Sequence, residues 1–228
     1  MSKRNHTSVL TLLLSAVAGF CDTVTFVAAD SIFSAHVTGN FIVFASQVML
    51  GNHGGAWIKL ITFPVFVIAV ITGGWIDKKK QDNPYFILLV ESNLLLFSGA
   101  VAVAAQYFFN DYNPMYWVVM LVVFAMGLQN AFGKLYAKET YGPTTMMTGN
   151  TTGASLGLSG YLRKWGDVES SAGFIKQLYP LGGFLFGCLS GALISKWAGL
   201  FSIIIPGIAI AICYHWLLKN RANPAEFK

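Results

Sequence analysis

The chain has 228 residues, 55% of them hydrophobic and 11% charged, with a formal net charge of +5. A soluble domain of this size needs far more charge, and the apolar stretch 85–107 alone exceeds the roughly 18 residues that mark a spanning helix, so the lipid bilayer is an expected partner. The sequence holds no glycine-rich phosphate loop, no metal-spaced His/Cys/carboxylate cluster and no basic stripe interleaved with aromatics; no cofactor, no metal and no nucleic acid is expected.

At the N-terminus, Lys3 and Arg4 precede an apolar run as they would in a secretory signal. Phe20 stands where cleavage would need a small residue, and the run continues to Ala29, so an uncleaved first helix over 8–29 is predicted. Further spanning helices are predicted over 57–76, 85–109, 115–137, 174–195 and 199–218. Pro84 suits the start of the third, where a missing donor costs nothing, and 110–114 reads as a turn. Pro64, Pro180 and Pro206 lie inside spans and are expected to kink them. Cys21, Cys188 and Cys213 fall in apolar segments without paired spacing and read as membrane-buried small hydrophobes.

Two stretches, 31–50 and 144–162, read as either spans or re-entrant segments, the first with only about ten apolar residues after its string, too few for a comfortable crossing, and each contains the same string, Thr38-Gly39-Asn40 and Thr148-Gly149-Asn150. Each string follows an apolar segment carrying Gly-x-x-Asp or Gly-x-x-Asn, Gly19 with Asp22 and Gly127 with Asn130. Phe63-Pro64 and Tyr179-Pro180 continue the parallel, each followed by glycine and lysine. The ordered recurrence indicates a duplicated unit inside a single membrane domain of residues 1–228, with repeat 1 at about 8–109 and repeat 2 at about 115–218.

Positive charge sets the expected topology, because cytoplasmic connections carry the excess of Lys and Arg. Six crossings with both termini cytoplasmic put Lys78, Lys79, Lys80, Arg163 and Lys164 inside and leave only Lys59 and Lys196 outside. Eight crossings would carry the Lys78 to Lys80 cluster out. Each TGN segment is therefore expected to be broken or re-entrant, and three crossings per unit invert the second unit against the first. The predicted fold class is an all-α integral membrane protein of six transmembrane helices in two inverted three-helix repeats.

The motifs Ala18-Gly19-Phe20-Cys21-Asp22 with Ser34-Ala35-His36-Val37-Thr38-Gly39-Asn40, and Met126-Gly127-Leu128-Gln129-Asn130-Ala131 with Thr144-Thr145-Met146-Met147-Thr148-Gly149-Asn150, cover both units. In them the chain resembles the YoaK-type bacterial inner-membrane proteins of the uncharacterised domain class numbered 1275. The resemblance implies a six-helix inner-membrane protein and supplies no substrate.

A buried acid is costly in a membrane and tends to face a cavity or a partner, which marks Asp22, with Asn130 as its uncharged counterpart. Thr38 and Thr148 suit helix N-caps, and Gly39 and Gly149 permit close backbone approach. Such a helix start presents N–H groups and a positive dipole end to an anion or carbonyl, with Asn40 and Asn150 adding amide groups. The equally simple alternative is that all of these polar groups satisfy nearby backbone. His36, beside the first string, is a candidate gating residue, and Glu91 either faces a cavity or reaches the Lys78 to Lys80 cluster. The row Gly153, Ala154, Ser155, Gly157 and Ser159 suits tight helix packing.

Gly157-Leu158-Ser159-Gly160 with His215 matches part of an intramembrane serine protease pattern, but both residues lie beside basic helix ends and the flanking base motif is absent, so no enzyme is expected. The sequence points to a secondary transporter or channel-like permease for a small polar or anionic solute, proton coupled through Asp22. The rival is a non-transporting membrane scaffold or stress-associated partner protein. At 24.8 kDa the chain is small for a carrier, which suits a homodimer.

Overall fold

A computed structural model describes residues 3–51, 55–108, 115–164 and 167–222. Among them it is all helical: α1 (Lys3–Ala28), α2 (Gly39–Met49), α3 (Ala56–Lys79), α4 (Phe86–Phe108), α5 (Met115–Leu135), α6 (Met147–Arg163), α7 (Val168–Ala198), a 3-10 turn (Gly199–Ile203) and α8 (Ile204–Ala222). Five helical runs are long and apolar enough to cross a membrane. The fifth is a run of 53 residues, Val168–Asn220, that takes in α7, the 3-10 turn and most of α8.

Several boundaries differ from the sequence expectation for local reasons. The helix α7 begins six residues ahead of 174 because Asp167 caps it, its carboxylate accepting from the Ser170 N–H. The last helix begins at Ile204 and not at 199, since Gly199 takes φ +51 and a 3-10 turn follows. Pro206 then lies in the first turn of α8, where a missing N–H removes no helical bond, so the expected kink there has no cause. The turn expected at 110–114 lies outside the described residues.

Small residues set the packing. Lipid tails are as apolar as leucine, so helices associate where backbones can approach closely. On α7, Gly183, Gly187 and Gly191 recur every fourth residue and lie against the backbone carbonyls of Leu12, Ala16 and Phe20 on α1. On the opposite side of the bundle, Gly127 of α5 faces Ala69 of α3, and Gly73 of α3 faces Ala131 of α5. A third seam joins α4 to α8, where Gly207 abuts Leu96 and the Ser92 hydroxyl donates to the Gly207 carbonyl at 2.9 Å. The α6 row also packs on α7: Gly157 meets the Phe174 backbone and Gly160 meets Ser170.

These seams leave α1 and α5 as the most enclosed of the apolar helices and α3 as the least. The main core gathers Leu10, Leu14, Met126, Phe132 and Ile210 around them. Large apolar side chains on the outer helices, such as Trp75, Leu189 and Ile212, remain exposed, as a lipid-facing surface requires.

Candidate functional site

After α1 the chain folds back along it. Asp30 and Ser31 both take left-handed backbone, φ +54 and +58, which turns the segment sharply. Residues 32–36 then return to Asp22, six residues before the end of α1 and so about 9 Å deeper along the helix. There the Ala35 N–H donates to Asp22 Oδ1 at 2.7 Å, the His36 N–H reaches the same oxygen at 3.3 Å, and His36 Nδ1 lies 2.6 Å from Oδ2. Asp22 is buried, and three of its roughly four acceptor positions are filled by these groups.

Asn40 closes the same loop from the other end. Its Oδ1 accepts from the Phe33 N–H and its Nδ2 donates to the Phe33 carbonyl, both at 2.8 Å, and Nδ2 also donates to Thr62 Oγ1 on α3 at 2.9 Å. Thr62 in turn donates to the Lys59 carbonyl, and the Lys59 ammonium pairs with Asp30. Lys59 is fully buried, so the pair fixes the turn after α1 against α3.

Around the second Thr-Gly-Asn string the polar side chains also bond to nearby groups, with different chemistry. Asn130 Nδ2 donates to Thr145 Oγ1 at 2.7 Å, and Gln129 Nε2 donates to Thr144 Oγ1 and to the Leu14 carbonyl of α1. Asn150 Nδ2 donates to the carbonyl of Pro143, seven residues back, as Asn40 does to Phe33. Proline has no N–H, so the second amide bond of the Asn40 brace has no counterpart here.

The expected cap geometry differs in both copies. Thr38 stands at the N-cap of α2 without a side-chain cap bond, and the N–H groups of Gly39, Asn40 and Phe41 are taken by the carbonyls of His36, Val37 and Thr38. Those amides are therefore not free to hold an anion. Thr148 lies inside α6, whose N-cap is Met146, because extended backbone there lets the helix start at Met147, two residues ahead of the start that a Thr148 cap implies. Its hydroxyl position is consequently on a helix surface rather than at a cap.

Two cavities flank the first loop. One of about 610 Å³ is lined by Asp22, His36, Thr38 and Gly39 together with Phe33, Phe184 and Cys188. The other, of about 400 Å³, is lined by His36, Thr38, Asn130 and Met146 with α3 side chains such as Phe66. His36 and Thr38 thus face both, and Asn130 of α5 lines the smaller one together with Thr38 of the first TGN string. Thr148, Gly149, Asn150 and Asn40 line neither cavity; Asn40 and Asn150 are buried braces, and Thr148 and Gly149 are exposed. Glu91 is fully buried with both carboxylate oxygens unpartnered among the described residues. It reaches neither cavity nor the Lys78 to Lys80 cluster, because it faces the interior seam near Cys21 and Cys213.

Sequence reasoning missed Gln129, Thr62, the Asp30–Lys59 pair and the cavity faces of Phe184 and Cys188. A lone lysine four residues into an apolar helix was a signal for the pair. Nothing in the α7 sequence marks Cys188 apart from any other small apolar position.

The Asp22 carboxylate beside His36 raises the imidazole pKa above its ordinary value of 6.5 by hydrogen bonding, against an opposing effect of burial. A raised folded value means that this pair's contribution to stability is complete below 6.5 and is lost as pH rises through the folded pKa. Thermal melts in detergent from about pH 5.5 to about pH 8.5 should therefore show declining stability in the native protein and a flatter profile in His36→Gln. Equal slopes for the two proteins would remove the ion pair from the stability of the loop.

An all-helical bundle with several spanning-length apolar helices and polar, broken segments between them defines a membrane-type helical protein. The family model described as "Protein of unknown function (DUF1275)" matches residues 10–216, and the chain belongs to that family. Neither the curated proteins nor the solved structures contain a match to the chain.

Proposed function

We propose that the protein is a secondary transporter or channel-like permease for a small polar or anionic solute, proton coupled, in a bacterial inner membrane with both termini cytoplasmic. The observation that carries this reading is the pair of cavities meeting at His36 and Thr38, with Asp22 on one and Asn130 of the other unit on the second. Irregular backbone at membrane depth is tolerated where it is packed in protein or lines a cavity, and residues 29–38 do both. No reaction is assigned to the chain.

The architecture behind the proposal is six crossings in two inverted units. The 53-residue run 168–220 is roughly 80 Å of helix, more than twice a hydrocarbon core of about 30 Å, and it breaks at Gly199, which supports two crossings there. By contrast α2 is about 16 Å long and α6 about 25 Å, which supports re-entrant segments. Exchange of the units pairs α1 on α7 with α5 on α3, and it returns α4 on α8 to itself. The matched braces, Asn40 on Phe33 and Asn150 on Pro143, support the same relation. Cysteine labelling of Lys79→Cys from the cytoplasmic side alone is the expected result, and labelling from outside would defeat the topology.

Asp22→Asn tests the coupling. The amide keeps the shape and can still accept from the Ala35 N–H, while the charge is removed. Proteoliposomes carrying the variant are expected to lose solute uptake driven by a pH gradient and to retain exchange. Uptake with unchanged pH dependence would make Asp22 structural and remove the proton coupling, whereas no solute uptake by the native protein would return the scaffold reading to the front.

A further inference from the structure

The larger cavity is mostly apolar with aromatic walls, and its polar side chains are Asp22, Thr23, His36 and Thr38. His36 gives Nδ1 to Asp22, so Nε2 is the remaining polar atom of its ring. The ring stands edge-on to Phe184 at 5.4 Å between centroids and to Phe33 at 6.4 Å, and Phe33 packs on Phe26 at 4.7 Å. Phe26, Phe33 and Phe184 all line the cavity, a surface that stacks on or meets the edge of a planar ring. Asp22 is occupied by three donors and is poorly placed to receive a cation directly.

We propose that this cavity binds an aromatic weak acid, a planar apolar ring bearing one carboxyl group, with the acid oxygen hydrogen-bonded to His36 Nε2; the assignment rests on the permease reading and names its solute class. The proton balance closes within the pair. An incoming neutral acid donates its O–H to Nε2; the O–H bond breaks, the Nε2–H bond forms, and the carboxylate stays paired with the imidazolium while Asp22 holds Nδ1–H on the far side. No further reactant takes part. Asp22, His36 and Cys188 are the titratable groups lining this cavity, and the lining of the smaller one adds none. The carboxylate partner that lifts the His36 pKa favours the same charged ring. Asp22 is then the orienting group and His36 the site of the exchangeable proton.

Cys188 supplies the readout. It is half-buried on the cavity, whereas Cys21 and Cys213 are buried in the core, so N-ethylmaleimide reports on Cys188 in the native protein. Benzoate is expected to slow this labelling about tenfold at roughly ten times its dissociation constant, by mass action. Acetate and benzylammonium are expected to leave the rate unchanged. The ratio of rates with and without benzoate, taken at each pH, should fall toward one as pH rises through the His36 pKa, and His36→Gln should abolish the pH dependence. Should that variant not fold, the native pH profile decides the point, and a pH-independent ratio overturns the proposal.

Equal protection by acetate removes the role of the aromatic walls, and protection by benzylammonium reverses the charge class. A Cys188→Ser protein carrying Ser190→Cys places the thiol on a separate groove of α7. Equal slowing there would show benzoate partitioning into the bilayer and would also overturn the assignment. Uptake is measured on the same proteoliposomes. Protection without uptake keeps the binding site and removes the permease reading, whereas uptake of another solute without benzoate protection does the reverse.

Discussion

Gly187→Ala is expected to be among the most damaging single-methyl changes in the protein. A Cβ at Gly187 would fall on the carbonyl oxygen of Ala16 and lie 2.8 Å from both the Ala16 carbonyl carbon and the Phe20 nitrogen, all of them backbone atoms of α1. Backbone cannot rotate away as a side-chain tip can, so α7 must move off α1 and open the longest seam of the bundle. Overpacking of this kind costs about 1–3 kcal/mol where neighbours relax, and more where they are backbone. Helix propensity favours alanine by only about 1 kcal/mol, too little to offset it. Gly182, one residue away, has nothing within 4 Å of its Cβ position, so Gly182→Ala is the matched control and should be neutral or slightly stabilising. Melting temperature and monodisperse yield in detergent measure both variants. Similar behaviour of the pair would mean that the α1–α7 seam is not as close as described.

The second large effect is expected at Asn40. Asn40→Asp keeps the acceptor for the Phe33 N–H but loses both donations, to the Phe33 carbonyl and to Thr62, and places a carboxylate in a fully buried site. A buried donor or acceptor left without its partner costs about 1–3 kcal/mol, and an unpaired buried charge more, so a loss of roughly 3–5 kcal/mol is expected. Asn150→Asp should cost less. Asn150 Nδ2 donates to one oxygen, the Pro143 carbonyl, whereas Asn40 Nδ2 donates to two, so the second change gives up one such bond and the first gives up two. A larger loss at Asn150 than at Asn40 would overturn this account of the TGN asparagines as loop braces.

Much of this was legible in the chain. Apolar runs gave the long helices, since a hydrocarbon solvent demands about 20 apolar residues per crossing whatever the tertiary structure. The repeated Thr-Gly-Asn string, with Gly-x-x-Asp and Gly-x-x-Asn ahead of it, singled out the short helices α2 and α6 and the polar residues Asp22 and Asn130. Helix starts were less legible, because Asp167 and Gly199 act through caps and a left-handed turn rather than through hydropathy.

Roles within the motif needed the fold. Asn40 and Asn150 look like ligands when their side chains are considered alone, but each faces a backbone group seven residues earlier because the loop returns along its own helix. In the sequence one loop histidine carries less weight than a membrane-buried acid, which favours Asp22 over His36. Three-dimensional placement reverses the order: Asp22 is filled by donors from residues 35 and 36, and the imidazole it holds is the group facing both cavities.

By itself the sequence determined the apolar surroundings and the helical class, because these depend on composition and on local backbone preference. Tertiary structure decided which polar groups are satisfied and which face open space. That decision depends on placements such as Cys188 on one cavity with the first loop and Asn130 on another with Thr38, between segments more than 90 residues apart whose approach is set by glycine seams and not by any pattern of neighbours in the chain.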